Sequence, residues 1–362
     1  MKITAAVSHG PQEPFAIEEL NLDGPRGGEV LVRLVATGVC HTDLTIKGML
    51  PDGLAYVLGH EGAGVVEEVG RDVTGVRPGD QVLLSFNSCG TCLPCAAGRP
   101  GYCDSFRVLN TGGTRPDGST VLTKDGTPVL GSFFGQSSFA SHVITTPQNT
   151  VVVPDDVDLR IAAPLGCGIQ TGAGAVLNVL RPGEGSRFVV YGAGGVGLAA
   201  LMAAVTTGAT AVVAVDPVPA RRELALKLGA TAVIDPADGD PVEAVRELTQ
   251  GGATHALDTT AKSAVISGGV KALGGGGTLV AVGIGAPDLT VDVQDMISGG
   301  KSLRGSIEGD AVPHDFLPRL LEMRAAGQLP VEELISFYPF AEINRAVDDT
   351  RSGAAVKPVL VF

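Results

Sequence analysis

The stretch Arg187-Phe188-Val189-Val190-Tyr191 runs without a break into Gly192-Ala193-Gly194-Gly195-Val196-Gly197, and an apolar segment of helical character follows over 196–206. An apolar strand that feeds a G-x-G-x-x-G turn opening a helix leaves few folds available. The glycines let the chain reverse sharply and bring backbone N–H groups and a helix N-terminus against a pyrophosphate. In a chain with 51 glycines the pattern could also be a plain tight turn, so its surroundings must decide. They repeat one rhythm: strands over 211–216, 232–234, 256–259, 278–282 and 303–307, with helices over 219–228, 242–249 and 263–273 between them. Strands alternating with helices imply βαβ units and a parallel sheet. Six such strands make two mononucleotide-binding halves, a doubly wound α/β domain.

Asp216 closes the second of these strands. A carboxylate there accepts hydrogen bonds from the adenosine ribose hydroxyls and repels a 2′-phosphate, which favours NAD over NADP. Arg221 and Arg222 follow closely; they either soften that preference or form a solvated helix face.

Residues 1 to about 165 read differently. Short strands such as 30–36, 62–70 and 81–84 recur at roughly ten-residue spacing and are punctuated by turns such as Arg77-Pro78-Gly79-Asp80. This predicts an antiparallel, barrel-like β domain. Beyond about 307 the chain returns to mixed α and β and ends in the strand-like 359–362. The β domain is therefore expected to be discontinuous, over 1–165 and 308–362, with the nucleotide domain, 166–307, inserted into it.

At 362 residues with 44% hydrophobic content, the chain is large enough for two packed domains. A formal net charge of −13 disfavours a nucleic-acid surface, which needs a basic face. The N-terminal segment has no signal-peptide pattern and no apolar run is long enough to span a membrane, so a cytoplasmic protein is expected.

Four of the six cysteines fall between Cys89 and Cys103, as Cys89-x-x-Cys92-x-x-Cys95 followed by Cys103, in a stretch rich in glycine and proline. Disulfides are arithmetically possible, but short spacing in a non-secreted chain favours a metal. Four thiolates on a small irregular lobe saturate tetrahedral zinc, and such a site is structural; an iron–sulfur cluster could use similar ligands. The other two cysteines form a looser set with one histidine: Cys40, His60 and Cys167. Any one of them alone reads as an ordinary core residue. Together they supply two sulfurs and a nitrogen, a zinc set with an open fourth position for water or substrate. Asp43 and Glu61 stand beside these ligands, where carboxylates fix an imidazole tautomer and tune a metal. Thr42 adds a hydroxyl positioned to take a proton from an alcohol.

With these residues assembled, the chain resembles the zinc-dependent medium-chain alcohol dehydrogenases over essentially its whole length. Cys40-His41-Thr42-Asp43, Gly59-His60-Glu61-Gly62-Ala63-Gly64, the four-cysteine lobe and Gly192–Gly197 carry that likeness. Ser132-Phe133-Phe134-Gly135-Gln136-Ser137-Ser138-Phe139-Ala140, residues 164–174 and Ile307-Glu308-Gly309-Asp310 narrow it to the aryl-alcohol (benzyl alcohol) branch.

The resemblance implies a GroES-like β-barrel domain plus a Rossmann domain, one catalytic and one structural zinc per chain, and NAD. It implies interconversion of primary aromatic or allylic alcohols and aldehydes; glutathione-dependent formaldehyde oxidation and general aliphatic alcohol oxidation are the alternatives. Cys40, His60 and Cys167 would bind catalytic zinc, with Glu61 and Asp43 close behind, and Thr42 would begin a proton relay. His41 and Lys357 would contact the pyrophosphate, and Asp216 and Arg221 the adenosine ribose region. Thr171 and Val196 would contact the nicotinamide and Val282 the cofactor as well, with Gly192, Gly194, Gly195 and Gly197 forming its turn. Phe133, Phe134 and Ile284 would line the substrate pocket. A homodimer or homotetramer is expected. Two departures stand out: Thr45 holds the place where many members carry a relay histidine, and Arg107 stands where formaldehyde-oxidising members carry an anion-binding arginine.

Overall fold

The computed structural model describes residues 1–285 and 288–362. They divide into two units: Met1–Cys167 with Val312–Leu321 and Glu332–Phe362, and Gly168–Ala311 with Glu322–Val331.

The second unit is built on a six-stranded sheet. In space its strands run Ala232–Ile234, Ala211–Val215, Arg187–Tyr191, Ala253–Asp258, Leu273–Ala281 and Ser302–Gly305. All five pairings are parallel. In chain order this is 3-2-1-4-5-6, the arrangement of two mononucleotide-binding halves meeting at the first strand. Phe188, Val189 and Val190 have no exposed surface, as a central parallel strand covered on both faces requires. Helix Gly195–Val205 packs closely because Ala199, Ala200, Ala203 and Ala204 present only methyl groups, and all four are buried.

Two features of this unit escape the sequence pattern. Strand Leu273–Ala281 begins well before the expected 278, running through Gly274–Gly277 with a register shift between Ala253 and His255. A glycine run carries no β-propensity, so only the neighbouring strand reveals the pairing. Helix Val293–Gly299 was not anticipated. Asp292 caps it, accepting from the backbone N–H groups of Gln294 (2.9 Å) and Asp295 (3.1 Å). Val293 and Ile297 on it are exposed, so its apolar residues do not mark a core-facing stripe.

The first unit carries two sheets around one hydrophobic core. A five-stranded sheet runs Tyr56–Val57, Lys2–Ser8, Ala16–Leu22, Leu122–Lys124, Thr127–Val129. A seven-stranded sheet runs Thr150–Val153, Gln81–Leu84, Gly62–Val69, Val30–Gly38, Lys357–Val361, Ile335–Pro339, with His142–Thr145 also paired to Val30–Gly38. Val30, Val32 and Leu34 point inward and Arg33 outward, the alternation of a sheet with one wet face. The C-terminal strand pairs antiparallel with Val30–Gly38, Val359 opposite Gly38. The end of the chain thus returns beside Val39-Cys40, which places Lys357 near the cysteine–histidine cluster. Among the described residues no helix is long and apolar enough to cross a membrane.

Candidate active site and metal centres

One carboxylate organises the first cluster. Cys40 caps the N-terminus of helix His41–Met49, and Asp43 in its first turn reaches back to accept from the Cys40 backbone N–H (2.9 Å). The other Asp43 oxygen accepts from the Gly59 N–H (3.1 Å) and from His60 Nδ1 (2.8 Å). Asp43 has no exposed surface. A buried carboxylate that accepts a hydrogen bond from Nδ1–H keeps that proton on Nδ1 and leaves Nε2 as the nitrogen able to ligate a cation. Cys167 comes from far along the chain, at the end of the turn Ala163–Gly166. The Ser85 hydroxyl holds that turn by donating to the Gly166 carbonyl (2.7 Å).

The ligand atoms of Cys40, His60 and Cys167 lie within 4.8 Å of one another, all three residues buried. All three are free of disulfides or without sulfur, and His60 Nε2 is buried with no hydrogen-bond partner. Leaving such an atom unpaired is costly unless something binds it. Two sulfurs and one imidazole nitrogen converging on that orphan atom fit a three-coordinate protein set for zinc. The cysteine electrostatics agree. A hydrogen bond from Cys167 holds the Cys40 thiol well below its usual range against the opposing effect of burial, and the Lys357 and His60 charges add to this. Burial disfavours a charged His60, but the Asp43 and Cys40 charges outweigh it and raise its pKa, so a binding cation would displace a proton from Nε2.

Behind the cluster sits a buried ion pair. Lys357, expected at the pyrophosphate, donates from Nζ to both Glu61 oxygens (2.8 and 2.9 Å) and to the Val39 carbonyl at 3.4 Å. Its side chain is 4% exposed and that of Glu61 is 0%. Burial pushes the Glu61 carboxyl up and Lys357 only partly offsets this; burial likewise works against the Lys357 charge, but Glu61 and Cys40 raise it above the usual lysine range. Gly38 is required here, since a Cβ would run into the Glu61 carboxylate. Removing either partner of such a pair strands the other charge, at about 3–5 kcal/mol.

Thr42 Oγ1 lies 3.8 Å from Cys40 Sγ. Thr45 turns its hydroxyl onto the His41 carbonyl (3.0 Å), within its own helix. His41 is exposed. Phe133 has no exposed surface and Phe134 only 6%. Both rings pack on His60. Ile284, in the other unit, is 58% exposed. Arg107 is exposed on helix Phe106–Thr111.

The second cluster, Cys89, Cys92, Cys95 and Cys103, also brings four sulfurs within 4.8 Å of one another. The backbone N–H groups of Cys89 and Cys92 point at the sulfurs of Cys103 (3.3 Å) and Cys89 (3.4 Å). Backbone N–H groups of Thr91 and Cys92 bring the Cys89 thiol down to about 6, while burial pushes Cys95 up to about 12.

In the other unit the Gly192–Gly197 turn is half-buried, with Gly192 at φ +91 and Gly197 so close beneath that a Cβ would meet the Gly192 carbonyl. Asp216 is locked: its oxygens accept from the backbone N–H groups of Ala193 (2.7 Å) and Val218 (2.8 Å). Arg222 donates to the Asp216 carbonyl (2.7 Å) and pairs with Asp235 (2.8 Å), whereas Arg221 stands 3.9 Å from the Asp216 carboxylate. Gly194, Gly195 and Val196 open the following helix, and the Val282 N–H donates to the Asp258 carbonyl (3.1 Å). Thr171 donates to Glu308 (3.2 Å), which also accepts from Gln170 (3.0 Å). Sequence reasoning did not single out Glu308 or Gln136 individually. Their partners lie far away in the chain, and no local spacing announces them.

Comparison with known proteins agrees with this geometry. The family described as "Alcohol dehydrogenase GroES-like domain" matches residues 26–155, and "Zinc-binding dehydrogenase" matches 195–325. The geraniol dehydrogenase of Castellaniella defragrans is 48% identical, over 99% of this chain and 97% of its own. The crystal structure of benzyl alcohol dehydrogenase from Acinetobacter calcoaceticus superposes with a TM-score of 0.96 at 43% identity, over 100% of this chain and 99% of that one. An alcohol dehydrogenase zinc-binding domain protein from Burkholderia ambifaria superposes at 0.97 with 46% identity, over 100% and 99%. With its GroES-like and Rossmann-like units and its cysteine–histidine clusters, the chain belongs to the zinc-binding medium-chain alcohol dehydrogenase family.

Proposed function

We propose that this alcohol dehydrogenase interconverts primary allylic or aromatic alcohols and their aldehydes, with NAD as the hydride carrier and catalytic zinc at Cys40, His60 and Cys167. The observation that carries the reading is the orphaned His60 Nε2, buried and converging with two cysteine sulfurs. Zinc, when bound, supplies the Lewis acidity that makes an alcohol hydroxyl acidic near neutral pH, and NAD accepts the hydride. The chain's own residues do the rest. Asp43 keeps the His60 proton on Nδ1, and Thr42 stands beside Cys40 to receive the alcohol proton. Thr45, bonded within its own helix, offers no base to extend that relay, so the proton leaves from Thr42 to water.

The substrate class is supported by the relatives whose names specify a geraniol and a benzyl alcohol enzyme, both acting on primary alcohols next to an unsaturated carbon. For the cofactor, Asp216 is held by two backbone N–H groups with its carboxylate at the end of the second strand, and Arg222 is already engaged with Asp235. A fixed negative charge there opposes a 2′-phosphate, so NAD should be preferred over NADP by about 100-fold in kcat/KM. Steady-state rates with benzyl alcohol, geraniol and ethanol, each with NAD and NADP, test both parts. Equal turnover of ethanol would remove the substrate class; equal use of NADP would remove the assignment of Asp216.

Among the described residues the strand Ser302–Gly305 ends the order of its sheet, and the helix Val293–Gly299 that precedes it in the chain exposes Val293 and Ile297. An unpaired edge with apolar neighbours is a natural pairing surface for a second copy. Light scattering is expected to give at least twice the 36.7 kDa chain mass; a monomer at micromolar concentration would contradict this.

A further inference from the structure

Four residues in a row of six, Ser132 (φ 58), Phe134 (φ 51), Gly135 (φ 64) and Ser137 (φ 54), adopt left-handed backbone conformations. Three of them are not glycine, which costs conformational energy and persists only where the surroundings enforce it. Here the enforcement is dense. Asn149 Nδ2 donates to the carbonyls of Phe134 (3.2 Å) and Gly135 (3.1 Å). Ser137 Oγ accepts from the Phe133 N–H (2.8 Å) and donates to the Val57 carbonyl (2.6 Å).

What this strained turn presents is directed at a single residue. The Phe134 ring stacks on the His60 imidazole, centroids 4.5 Å apart and planes 29° from parallel. Phe133 meets the same imidazole edge-on at 5.4 Å and 86°. Gln136 Nε2 donates to the His60 carbonyl (3.0 Å), and its Oε1 accepts from the next-but-one N–H, that of Gly62 (3.0 Å). Asp43 holds Nδ1. Every side of His60 is therefore gripped except Nε2.

The stack contributes something the Asp43 bond does not. A single hydrogen bond to Nδ1 leaves the ring able to tilt about the bond axis. The lone pair of Nε2 lies in the ring plane, so fixing that plane fixes the direction in which the nitrogen can bind a cation. We infer that the Phe133–Gln136 turn is a clamp that sets the plane of His60 for metal binding, with Phe134 as its positioning residue. This rests on reading Cys40, His60 and Cys167 as the catalytic zinc ligands, and it assigns Phe134 a role distinct from contact with substrate.

The test uses the full-length protein, with catalytic-site affinity for Zn²⁺ measured by chelator competition and with Co²⁺ substituted there for its visible spectrum. Phe134→Leu is expected to weaken metal binding by about 10- to 100-fold, as loss of a group supporting a metal-bound histidine typically does, and to shift the cobalt bands. Phe134→Tyr, which keeps the ring face, is expected to restore both. If Phe134→Leu does not fold, Phe134→Met fills the space without an aromatic face and takes its place; retention of the four-cysteine metal reports that the variant is intact. Unchanged metal affinity and an unchanged cobalt spectrum, with only KM for aromatic alcohols raised, would overturn the clamp and return Phe134 to the substrate wall. Neither metal readout needs an alcohol, so a wrong substrate class leaves this test untouched.

Discussion

Cys40→Ser is expected to lower kcat/KM by on the order of 10³- to 10⁴-fold while the protein remains folded, and to reduce bound zinc from two equivalents per chain to one. The size follows from what a Lewis acid supplies. Polarising a hydroxyl at a bound metal contributes several kcal/mol of transition-state stabilisation, and each 1.36 kcal/mol is tenfold in rate. Serine is close to cysteine in shape, so the N-cap of helix His41–Met49 and the Asp43 bond to the residue 40 N–H can survive. His60→Ala should lose as much activity but more stability, because it leaves Asp43 with one partner fewer and opens a cavity beside Phe133 and Phe134. Thr42→Val, which keeps the metal but removes the proton acceptor, should cost less than loss of the metal, about 10²-fold, and Thr42→Ser very little. Zinc quantification, steady-state rates and a thermal melt on the same preparations separate these cases. A Cys40→Ser protein with two zincs and near-normal turnover would end the assignment of the reaction to this cluster.

Cys92→Ser should show the opposite profile. The other zinc equivalent is lost, residues 89–103 become a cleavage site for proteases, and Tm falls by several degrees, while turnover measured before inactivation remains substantial. The lobe has almost nothing else to hold it: Leu93 at its tip is 85% exposed, and of its side chains those buried are Pro100 and Cys103. A segment of that kind draws its folding free energy from the metal, for which structural zinc in small domains supplies about 10–16 kcal/mol in apparent terms. One missing thiolate forfeits part of this, and the bound is lower for a lobe anchored at both ends. Loosening also has a route inward. Phe106, just past Cys103, packs against Phe86 at 5.9 Å and edge-on to Phe134 at 6.3 Å. If the Cys92→Ser protein keeps two zincs and its melting temperature while Cys40→Ser unfolds, the structural and catalytic assignments are reversed.

Both predictions draw on residues the sequence already singled out, but for different reasons. The four-cysteine lobe was legible because its ligands are close in the chain, and spacing alone limits what such a segment can bind. The Gly192–Gly197 turn was legible for the same reason: strand, glycines and helix are consecutive, and the steric demand for glycine acts within six residues. The alternation of strands and helices then predicted the sheet, although the glycine run before Thr278 and the helix Val293–Gly299 carried too little local signal to be placed.

The catalytic cluster was only partly legible. Cys40, His60 and Cys167 could be named as candidates, yet nothing in the chain required them to meet; that depends on the turn Ala163–Gly166 being tied to Ser85. Lys357 shows the limit most clearly. The resemblance implies a role at the pyrophosphate, but no local pattern announces that pairing of the last strand with Val30–Gly38 sets its ammonium against Glu61. Phe133 and Phe134 could be named as candidates for a substrate wall, but that the left-handed turn sets both rings on His60 was not legible in the sequence.

By itself, then, the sequence determined whatever acts over a few consecutive residues: hydrophobic period, glycine sterics and the reach of neighbouring thiols. The tertiary structure alone decided which distant groups share a buried space and which atom is left unpaired there. The reason is physical. Local preferences are set by covalent geometry, but burial and hydrogen-bond pairing are settled only when the sheets close.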